Sequence, residues 1–541
     1  MRRFRNVLAG VASLLGLAGA DIPAPPAIAP GGIVTAASRV PASLRGGAIA
    51  PGARFTIPGV RLGPDIGVRG GESDPPVKLA DVSVRIAQRD RGVDAGLLFV
   101  SAARIEAWMP REAPLGEVQL TVTYQGRASE PYKLTLVRAS VGFFSSQTAP
   151  ESLPAAKHKA EAAPGDTVTL WGTGLGETAL ELFVGGKPAE AVRATRTACC
   201  RGVEQVAFRV PAGAPPGCFV PVLARTPDGR PSNAVPIAVH APGQACRDEV
   251  DWFRDSVEHA ARAGFVVLAR VSLDIRFVPR SGSQFKFDYG IGSFGRQESG
   301  QRIFPPLPPL HTCTVFTART NLRQIMGQTR SPAEWTSIPE KTPGNRRLDA
   351  GAAVSIVGPS GAQALNRDAH QHDYYDAFLG GMPPFSRQPA KPLYLRAGAY
   401  TVSAPGGADI GPFSLELDVP RAIQWKNRAR IAEVERDAGV TVEWKAADGN
   451  DAVLILAANA DRYSGDSAMC LCLAPARDGR FTLPPIALGN LPPTLEDDDL
   501  AASYLLLTEI PVRPPARIQA RGLDAAFAAF VSASARPVKY R

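Results

Sequence analysis

Hydrophobic and polar residues alternate with a period of two in many short segments of the chain. Residues 118–124 show the pattern clearly, as Val-Gln-Leu-Thr-Val-Thr-Tyr. Such alternation places one face of a β-strand in a core and leaves the other face in water. Pro-Gly pairs precede several of these segments and glycines follow them, as turns between short strands require. The pattern therefore predicts an all-β protein.

Two stretches of about 100 residues, a usual size for one domain, carry the same three motifs in the same order. The first motif is Pro-Gly followed by Gly-x-x-Leu-Gly, the second is Pro-x-x-Ala-Pro-x-Gly, and the third is Gly-Arg-x-Ser. The paired copies lie at residues 51–63 and 164–176, 110–116 and 211–217, and 126–129 and 229–232. Short strands with frequent turns in units of this size predict tandem immunoglobulin-like (Ig-like) β-sandwiches, which we assign to residues 33–140 and 141–245.

The rest of the chain keeps the strand pattern but loses the repeat. We predict a β-rich domain over residues 246–420 and a C-terminal β domain over residues 421–541, with Pro420 as the boundary. Asp248 precedes apolar residues at helical spacing, which predicts a short helix at the start of the first of these domains.

Three local patterns in this region predict specific elements. Residues 440–456 predict a hairpin that turns at 448–450. The apolar stretch 523–531 predicts a short terminal helix. Residues 290–295 match a dinucleotide-binding glycine motif, but no amphipathic helix follows, so they predict a flexible glycine loop.

The N-terminus has the order of features found in a cleaved secretory signal peptide. Three arginines lie within the first five residues, a short apolar run follows, and Ala-Gly-Ala ends the segment at residue 20. The run is too short to span a bilayer, which needs about 20 apolar residues. We therefore predict a signal peptide at residues 1–20, a Pro-rich linker at 21–32, and a product that is extracellular, periplasmic or on the cell surface.

Charge argues against nucleic acid as a partner. The net charge is +9, and it falls to +6 when the three arginines of the signal peptide are removed. The basic residues are spread along the chain and form no dense block with interleaved aromatic residues. The expected partner is an extracellular polymer or a surface protein.

Cysteines are the most specific chemical feature of the sequence, and in an exported chain they predict disulfides. We expect Cys199 and Cys200 to bond separately to Cys218 and Cys246, because a bond between adjacent cysteines is strained. Zinc is disfavoured, since no Cys-x-x-Cys pair is present. The remaining cysteines are Cys313, Cys470 and Cys472; the last two lie two apart on a predicted strand and share a face, so one of them is expected to bond Cys313.

No catalytic or cofactor-binding residue is predicted. Gly-x-Ser-x-Gly and His-Glu-x-x-His motifs are absent from the sequence. His370, His372 and Asp373 are weak metal-ligand candidates. A polar loop is favoured, because the spacing of the sequence identifies no third ligand to join the two histidines. The acidic run at 496–499 lacks the spaced ligands of a calcium loop and predicts a solvated turn.

Several segments resemble secreted acidobacterial proteins with tandem Ig-like, TIG-type repeats. The resemblance rests on Leu-Trp-Gly-Thr-Gly-Leu-Gly, on Cys-Cys-x-Gly-x-x-Gln, on Val-Pro-Ala-Gly…Gly-Cys, and on two C-terminal segments; these lie at residues 170–176, 199–205, 210–218, 404–413 and 425–428. It covers most of residues 33–541. It implies the Ig-like fold, secretion and a shared β-rich C-terminal region, and it favours Cys472 as the partner of Cys313, with Cys470 free. It implies no activity.

These observations favour a secreted, non-enzymatic protein that serves as an extracellular binding, adhesion or structural module, since sandwiches present loops for capture. The alternative is a secreted hydrolase of glycans or peptides, with its site in residues 246–541 and the Ig-like repeats as accessory domains. A pocket there with two carboxylates or a Ser-His pair would favour the hydrolase.

Overall fold

The structure is a computed structural model of the chain. It describes residues 24–153, 159–176, 179–248, 250, 260–275, 283–296, 307–319, 347–367, 374–382, 389–446, 451–461, 463–495, 503–512 and 516–541. Several predictions fall outside these ranges: the signal peptide, most of the helix after Asp248, the candidates His370, His372 and Asp373, the hairpin turn at 448–450 and the acidic run at 496–499.

The first repeat is a sandwich of two sheets. Its strands are β1 (Ala27–Ile28), β2 (Val34–Thr35), β3 (Arg54–Val60), β4 (Val68–Arg69), β5 (Lys78–Leu79), β6 (Val82–Gln88), β7 (Arg91–Asp94), β8 (Gly96–Val100), β9 (Arg104–Trp108), β10 (Gly116–Tyr124), β11 (Arg127–Ala128) and β12 (Tyr132–Leu136). One sheet has the order β1-β3-β9-β8-β4 with β2 beside β3, and the other has the order β11-β10-β6-β5 with β12 and β7 attached. Val118, Leu120 and Val122 of β10 are buried in the shared core, as the alternation predicts.

The second repeat forms a similar sandwich. Its strands are β13 (Gly142–Phe143), β14 (Glu161–Ala162), β15 (Thr167–Thr173), β16 (Glu181–Val184), β17 (Lys187–Arg196), β18 (Glu204–Arg209), β19 (Gly217–Arg225) and β20 (Val235–Val239). β17 pairs with β16 at its start and with β18 further along, and its register shifts after Ala191, so one strand contributes to both layers. A single apolar core lies between the layers.

The Gly-Arg-x-Ser motif makes the same contact in both repeats. The Ser129 hydroxyl accepts a hydrogen bond from the Val122 backbone N–H at 3.0 Å, and the Ser232 hydroxyl accepts one from the Ala224 N–H at 2.8 Å. Each serine therefore fastens the turn to the preceding long strand. The equivalence supports the predicted duplication, and the described strands confirm the all-β class with tandem Ig-like sandwiches.

Most of the remaining described strands form one sheet. They are β21 (Arg262–Ile275), β22 (Ser283–Arg296), β23 (Thr312–Arg319), β24 (Ala353–Gly358), β25 (Gly361–Arg367), β26 (Tyr375–Gly381), β27 (Gly398–Ala404) and β28 (Phe413–Val419), and, after three strands of other sheets, β32 (Ala452–Ala460), β33 (Asp466–Pro475), β35 (Tyr504–Ile510), β36 (Ala516–Arg517) and β37 (Ala525–Pro537). The order is β23-β33-β32-β35-β37-β21-β22-β26-β25-β24-β27-β28, with β36 beside β37. Strands from both sides of Pro420 share this sheet, so the predicted boundary does not separate two sheets.

This sheet curls strongly at one end. From β37 through β21 to β28, it closes around a core that includes Phe294, Tyr375 and Tyr400, and β28 packs near β36 and β37. The two long central strands, β21 and β37, run parallel to each other. We call this closed part the barrel.

The other end of the sheet is covered by a smaller layer. Its elements are β29 (Gln424–Trp425), β31 (Val440–Lys445) and β34 (Arg480–Leu483), with the parallel pair β30 (Glu433–Val434) and β38 (Lys539–Tyr540) and a one-turn helix, α1 (Pro485–Leu488). Short 3₁₀ turns lie at Arg45–Gly47, Arg428–Arg430 and Ala476–Asp478. Trp425 and Trp444 are buried between the two layers.

Three local predictions in this region are wrong. The apolar stretch at 523–531 enters the long strand β37 instead of a helix, because its pairing with β21 buries it on the sheet. β31 pairs with β34 and β29, so it does not form a hairpin with β32. The glycine motif at 290–295 lies within β22; a Cβ on Gly290 would lie 2.5 Å from Leu365, so glycine serves close packing there and not a flexible loop.

Candidate functional site

Three aromatic side chains cluster on the outer face of the barrel. Tyr289 of β22 lies opposite Phe378 of β26, and their ring centroids are 5.1 Å apart. Phe287 lies 5.8 Å from Phe378. Phe378 is 44% exposed although it sits in the middle of a strand. We call Phe287, Tyr289 and Phe378 the aromatic patch.

The period of two explains why these rings face outward. Phe294 and Tyr375, on the same two strands, point into the barrel core. The Tyr375 hydroxyl accepts a hydrogen bond from the Ala350 N–H at 2.8 Å, and burial raises the pKa of this phenol. The residues of opposite parity, among them Tyr289 and Phe378, therefore lie on the other side of the sheet.

Polar groups border the patch. The Tyr289 hydroxyl donates to Asp376 Oδ2 at 2.5 Å. The Arg347 guanidinium donates to Ser293 Oγ at 2.6 Å and to the Tyr374 hydroxyl at 2.5 Å, and it lies 4.4 Å from the centre of the Tyr374 ring. Tyr374 and Phe378 lie four residues apart, so aromatic and polar groups extend over about 13 Å of strand.

The sheet face beside the patch is apolar. The outward residues of β21 and β37 next to it are partly exposed and carry no charge: Phe265, Val267, Ala269, Val271 and Leu273, and Ala529, Val531 and Ala533. A contiguous exposed apolar face of this kind usually marks a surface that binds a ligand or a partner.

A separate groove of about 550 Å³ lies where the edge strand β28 passes β37. Four carboxylates line it, from Glu416, Asp418, Asp451 and Glu509. Glu509 is the most enclosed, at 5% exposure, and it lies opposite the buried Ser532 in the β35–β37 pair. We call this the acidic groove. A pocket with at least two carboxylates in residues 246–541 is the feature that would favour the hydrolase alternative, and the acidic groove has this feature.

The cysteines pair differently from the prediction. Cys199 bonds to Cys200, and Cys218 bonds to Cys246. The expected cross-pairing is wrong because β18 separates the two ends: Cys200 precedes this six-residue strand and Cys218 follows it. A strand of that length spans about 20 Å, far beyond the reach of a disulfide.

The other three cysteines meet on the sheet. Cys313 bonds to Cys472, and the three sulfur atoms of Cys313, Cys470 and Cys472 lie within 4.8 Å of one another. This is the one His, Cys, Asp and Glu group with metal-site geometry in the described ranges, but two of its sulfurs are consumed by a disulfide, so the donor set does not fit a metal. Cys470 is unbonded, and burial raises the pKa of its thiol to about 12.

Comparison with known proteins identifies no family for this chain. No protein-family model matches the chain, and no curated protein matches it. Among solved structures, tandem Ig domains A164–A165 of titin align at 13% identity over 36% of this chain and 90% of theirs, with a TM-score of 0.14. A surface glycan-binding protein, SGBP-B, from a xyloglucan utilization locus of Bacteroides uniformis aligns at 10% identity over 84% and 96%, with a TM-score of 0.16.

Another SGBP-B, from a Bacteroides ovatus mixed-linkage glucan locus in complex with a heptasaccharide, aligns at 11% identity over 45% of this chain and 67% of that chain, with a TM-score of 0.19. These three neighbours are a pair of tandem Ig domains and two surface glycan-binding proteins. None of the helices in the described ranges has the length and apolar character needed to cross a membrane.

Proposed function

We propose that the protein is a secreted, non-enzymatic binding protein that holds a neutral polysaccharide on the aromatic patch of its barrel. The observation that carries the proposal is the 44% exposure of Phe378 on the outer face of the barrel, where it packs against Phe287 and the largely buried Tyr289. An exposed aromatic group in mid-strand has no role in the barrel core, and a binding role accounts for it.

The chemistry of the patch fits a sugar ring. A pyranose offers an apolar C–H face, which stacks on an aromatic ring, and a rim of hydroxyl groups. The Asp376 carboxylate accepts hydrogen bonds and the Arg347 guanidinium donates them at the border of the patch. One negative and one positive group balance each other, which favours a neutral polymer over a charged one.

The architecture suits a protein that binds an extended polymer away from the cell surface. The patch lies on a continuous sheet face, which an extended chain can follow, and not in a closed pocket. The Ig-like repeats precede the barrel and act as rigid spacers. In this proposal the repeats carry no ligand themselves.

Replacing Phe378 by Ala should weaken retention on the preferred polysaccharide about tenfold, since an aromatic contact contributes about 0.5–1.5 kcal/mol beyond its buried area. The measurement is affinity electrophoresis in gels that contain neutral or charged polysaccharides. Val357→Ala is the matched control, because Val357 is 45% exposed on the same sheet outside the patch. Equal retention of both variants, or binding to charged polymers alone, would count against the proposal.

The acidic groove supports a second candidate, a hydrolase of glycans or peptides. Glu509 is enclosed in a groove with three other carboxylates, and paired carboxylates are the groups that glycoside hydrolysis uses. If this candidate holds, Glu509→Gln should lower turnover at least about 100-fold, the effect of losing a general acid or base. Glu117→Gln, on the exposed face of β10, should leave turnover unchanged. Absence of turnover by the unmodified protein across glycan and peptide panels would remove the candidate.

A further inference from the structure

The adjacent cysteines lie in a turn of the second repeat, residues 197–203, that contacts the first repeat. The Arg201 backbone N–H donates to the Glu72 carbonyl at 2.8 Å, and Arg54 Nε donates to the Arg201 carbonyl at 2.6 Å. The Thr173 hydroxyl donates to the Gly202 carbonyl at 2.6 Å. The Arg201 backbone of this second-repeat turn is thus bound by first-repeat residues, whereas Gly202 is bound by Thr173 of the second repeat itself.

Side chains of the turn fit the first repeat equally closely. The Arg201 guanidinium lies 5.0 Å from the centre of the Trp108 ring and 3.7 Å from Asp74. Gly202 has a φ of +76°, and a Cβ at this position would lie 2.7 Å from Trp108. The conformation of the turn is therefore required for the contact between the repeats.

The two sulfurs of the turn have opposite surroundings. Cys200 is fully buried with Phe144 and Val203, and its backbone carbonyl accepts a hydrogen bond from the Thr197 hydroxyl at 3.1 Å. Cys199 is exposed at the surface. All seven cysteines lie in the described ranges, and Cys199 alone among them is exposed.

The other two disulfides are better protected from solvent. Cys313 and Cys472 lie on the sheet and are buried in the core under the smaller layer, and Cys218 and Cys246 are half-buried. Exchange with an external thiol depends on access to a sulfur atom. Cys199, the one exposed cysteine, is therefore where an external thiol has the easiest access to a disulfide.

We propose that the Cys199–Cys200 disulfide is a thiol-exchange site and that its opening releases the 197–203 turn from the first repeat. An external thiolate attacks the Cys199 sulfur, which forms a mixed disulfide, and Cys200 leaves as a thiolate that takes up a proton. A second thiolate then attacks the external sulfur, which yields the Cys199 thiol and the oxidised external disulfide. The co-substrate is a small or protein-borne thiol.

Opening the bond removes the ring that ties residue 199 to residue 200. Cys200 is then held by packing and by the hydrogen bonds to its backbone carbonyl. The backbone from Thr197 to Val203 gains freedom that the contacts with Glu72 and Arg54 must offset. The joint between the repeats therefore loosens when the disulfide is reduced.

The first test is the order in which the disulfides open. The full mature chain is incubated with reduced glutathione, blocked with N-ethylmaleimide and mapped by peptide mass spectrometry. Cys199 and Cys200 should be labelled at least about tenfold faster than the cysteines of the other two disulfides. Equal labelling of the three pairs, or earlier labelling of Cys218 and Cys246, would overturn the proposal.

The second test is cleavage by trypsin after Arg201 in the native chain. Glutathione should raise this rate at least about tenfold, because a turn that is released from the first repeat opens locally and can enter the active site of the protease. In the Cys199→Ser/Cys200→Ser variant, cleavage should be fast with or without glutathione. Selective labelling of the pair without any change in the cleavage rate would also overturn the proposal.

Discussion

Replacing Asp288 by Ala should lower the free energy of unfolding of the barrel by about 3–5 kcal/mol. Asp288 is fully buried, and its two carboxylate oxygens accept hydrogen bonds from Arg270 Nε and Nη2 at 2.8 and 2.9 Å. The Leu395 N–H donates to the same carboxylate at 2.7 Å. The variant leaves the Arg270 guanidinium enclosed without its counter-charge. Scanning calorimetry, which separates the transitions of different units, is the measurement.

A surface pair provides the control for this prediction. Arg85 and Asp94 lie 3.2 Å apart on neighbouring strands of the first repeat, and both side chains are exposed. Asp94→Ala should cost less than about 1 kcal/mol, because solvent screens the pair. Arg270→Ala/Asp288→Ala should cost less than the sum of the two single variants, because neither charge is left alone. Similar transition shifts for Asp94→Ala and Asp288→Ala would contradict the prediction.

The tandem repeats could be predicted because their signals are local. The alternation in β10 and the serines of the Gly-Arg-x-Ser motifs act within about ten residues, where period and turn chemistry decide the structure. Val118, Leu120 and Val122 are buried as that pattern requires. The second copy of each motif strengthens the prediction, because both copies must fit the same strand and turn.

The barrel could not be predicted in the same way. β37 pairs in parallel with β21, which lies more than 200 residues earlier in the chain. A short apolar run such as 523–531 fits a buried strand and a helix equally well, and only its distant partner decides between them. The same pairing carries the sheet across Pro420.

The candidate sites depend on similarly distant contacts. Phe287 and Phe378 meet across strands about 90 residues apart. Both faces of β21 are apolar from Ala263 to Ala269, so alternation does not identify the face exposed to solvent there. The acidic groove collects Glu416 and Glu509 from different strands. The Cys199–Cys200 bond does not follow from local strain, because the length of β18 keeps both cysteines from Cys218.

Replacing both Cys313 and Cys472 by Ala should lower the free energy of unfolding by about 5 kcal/mol, which the chain-entropy relation gives for a loop of this size. The disulfide joins residues 159 positions apart and links β23 to β33. β23 is the outermost strand at its end of the sheet, and β33 is its one sheet neighbour among the described strands. The bridge therefore fastens an edge that hydrogen bonds hold on one side.

The Cys470→Ala variant distinguishes the stability that the disulfide contributes from the stability that packing of the cysteine side chains contributes. Cys470 is buried on the same strand as Cys472, and its sulfur lies within hydrogen-bond distance of the Cys472 sulfur, at 3.6 Å, but it forms no disulfide. Because its pKa is about 12, the thiol stays protonated at pH 8, and iodoacetamide should label it only after unfolding. Cys470→Ala should therefore lower the thermal transition much less than the double variant does. If the two shifts match, loss of buried volume and not loss of the bridge sets the stability of this edge.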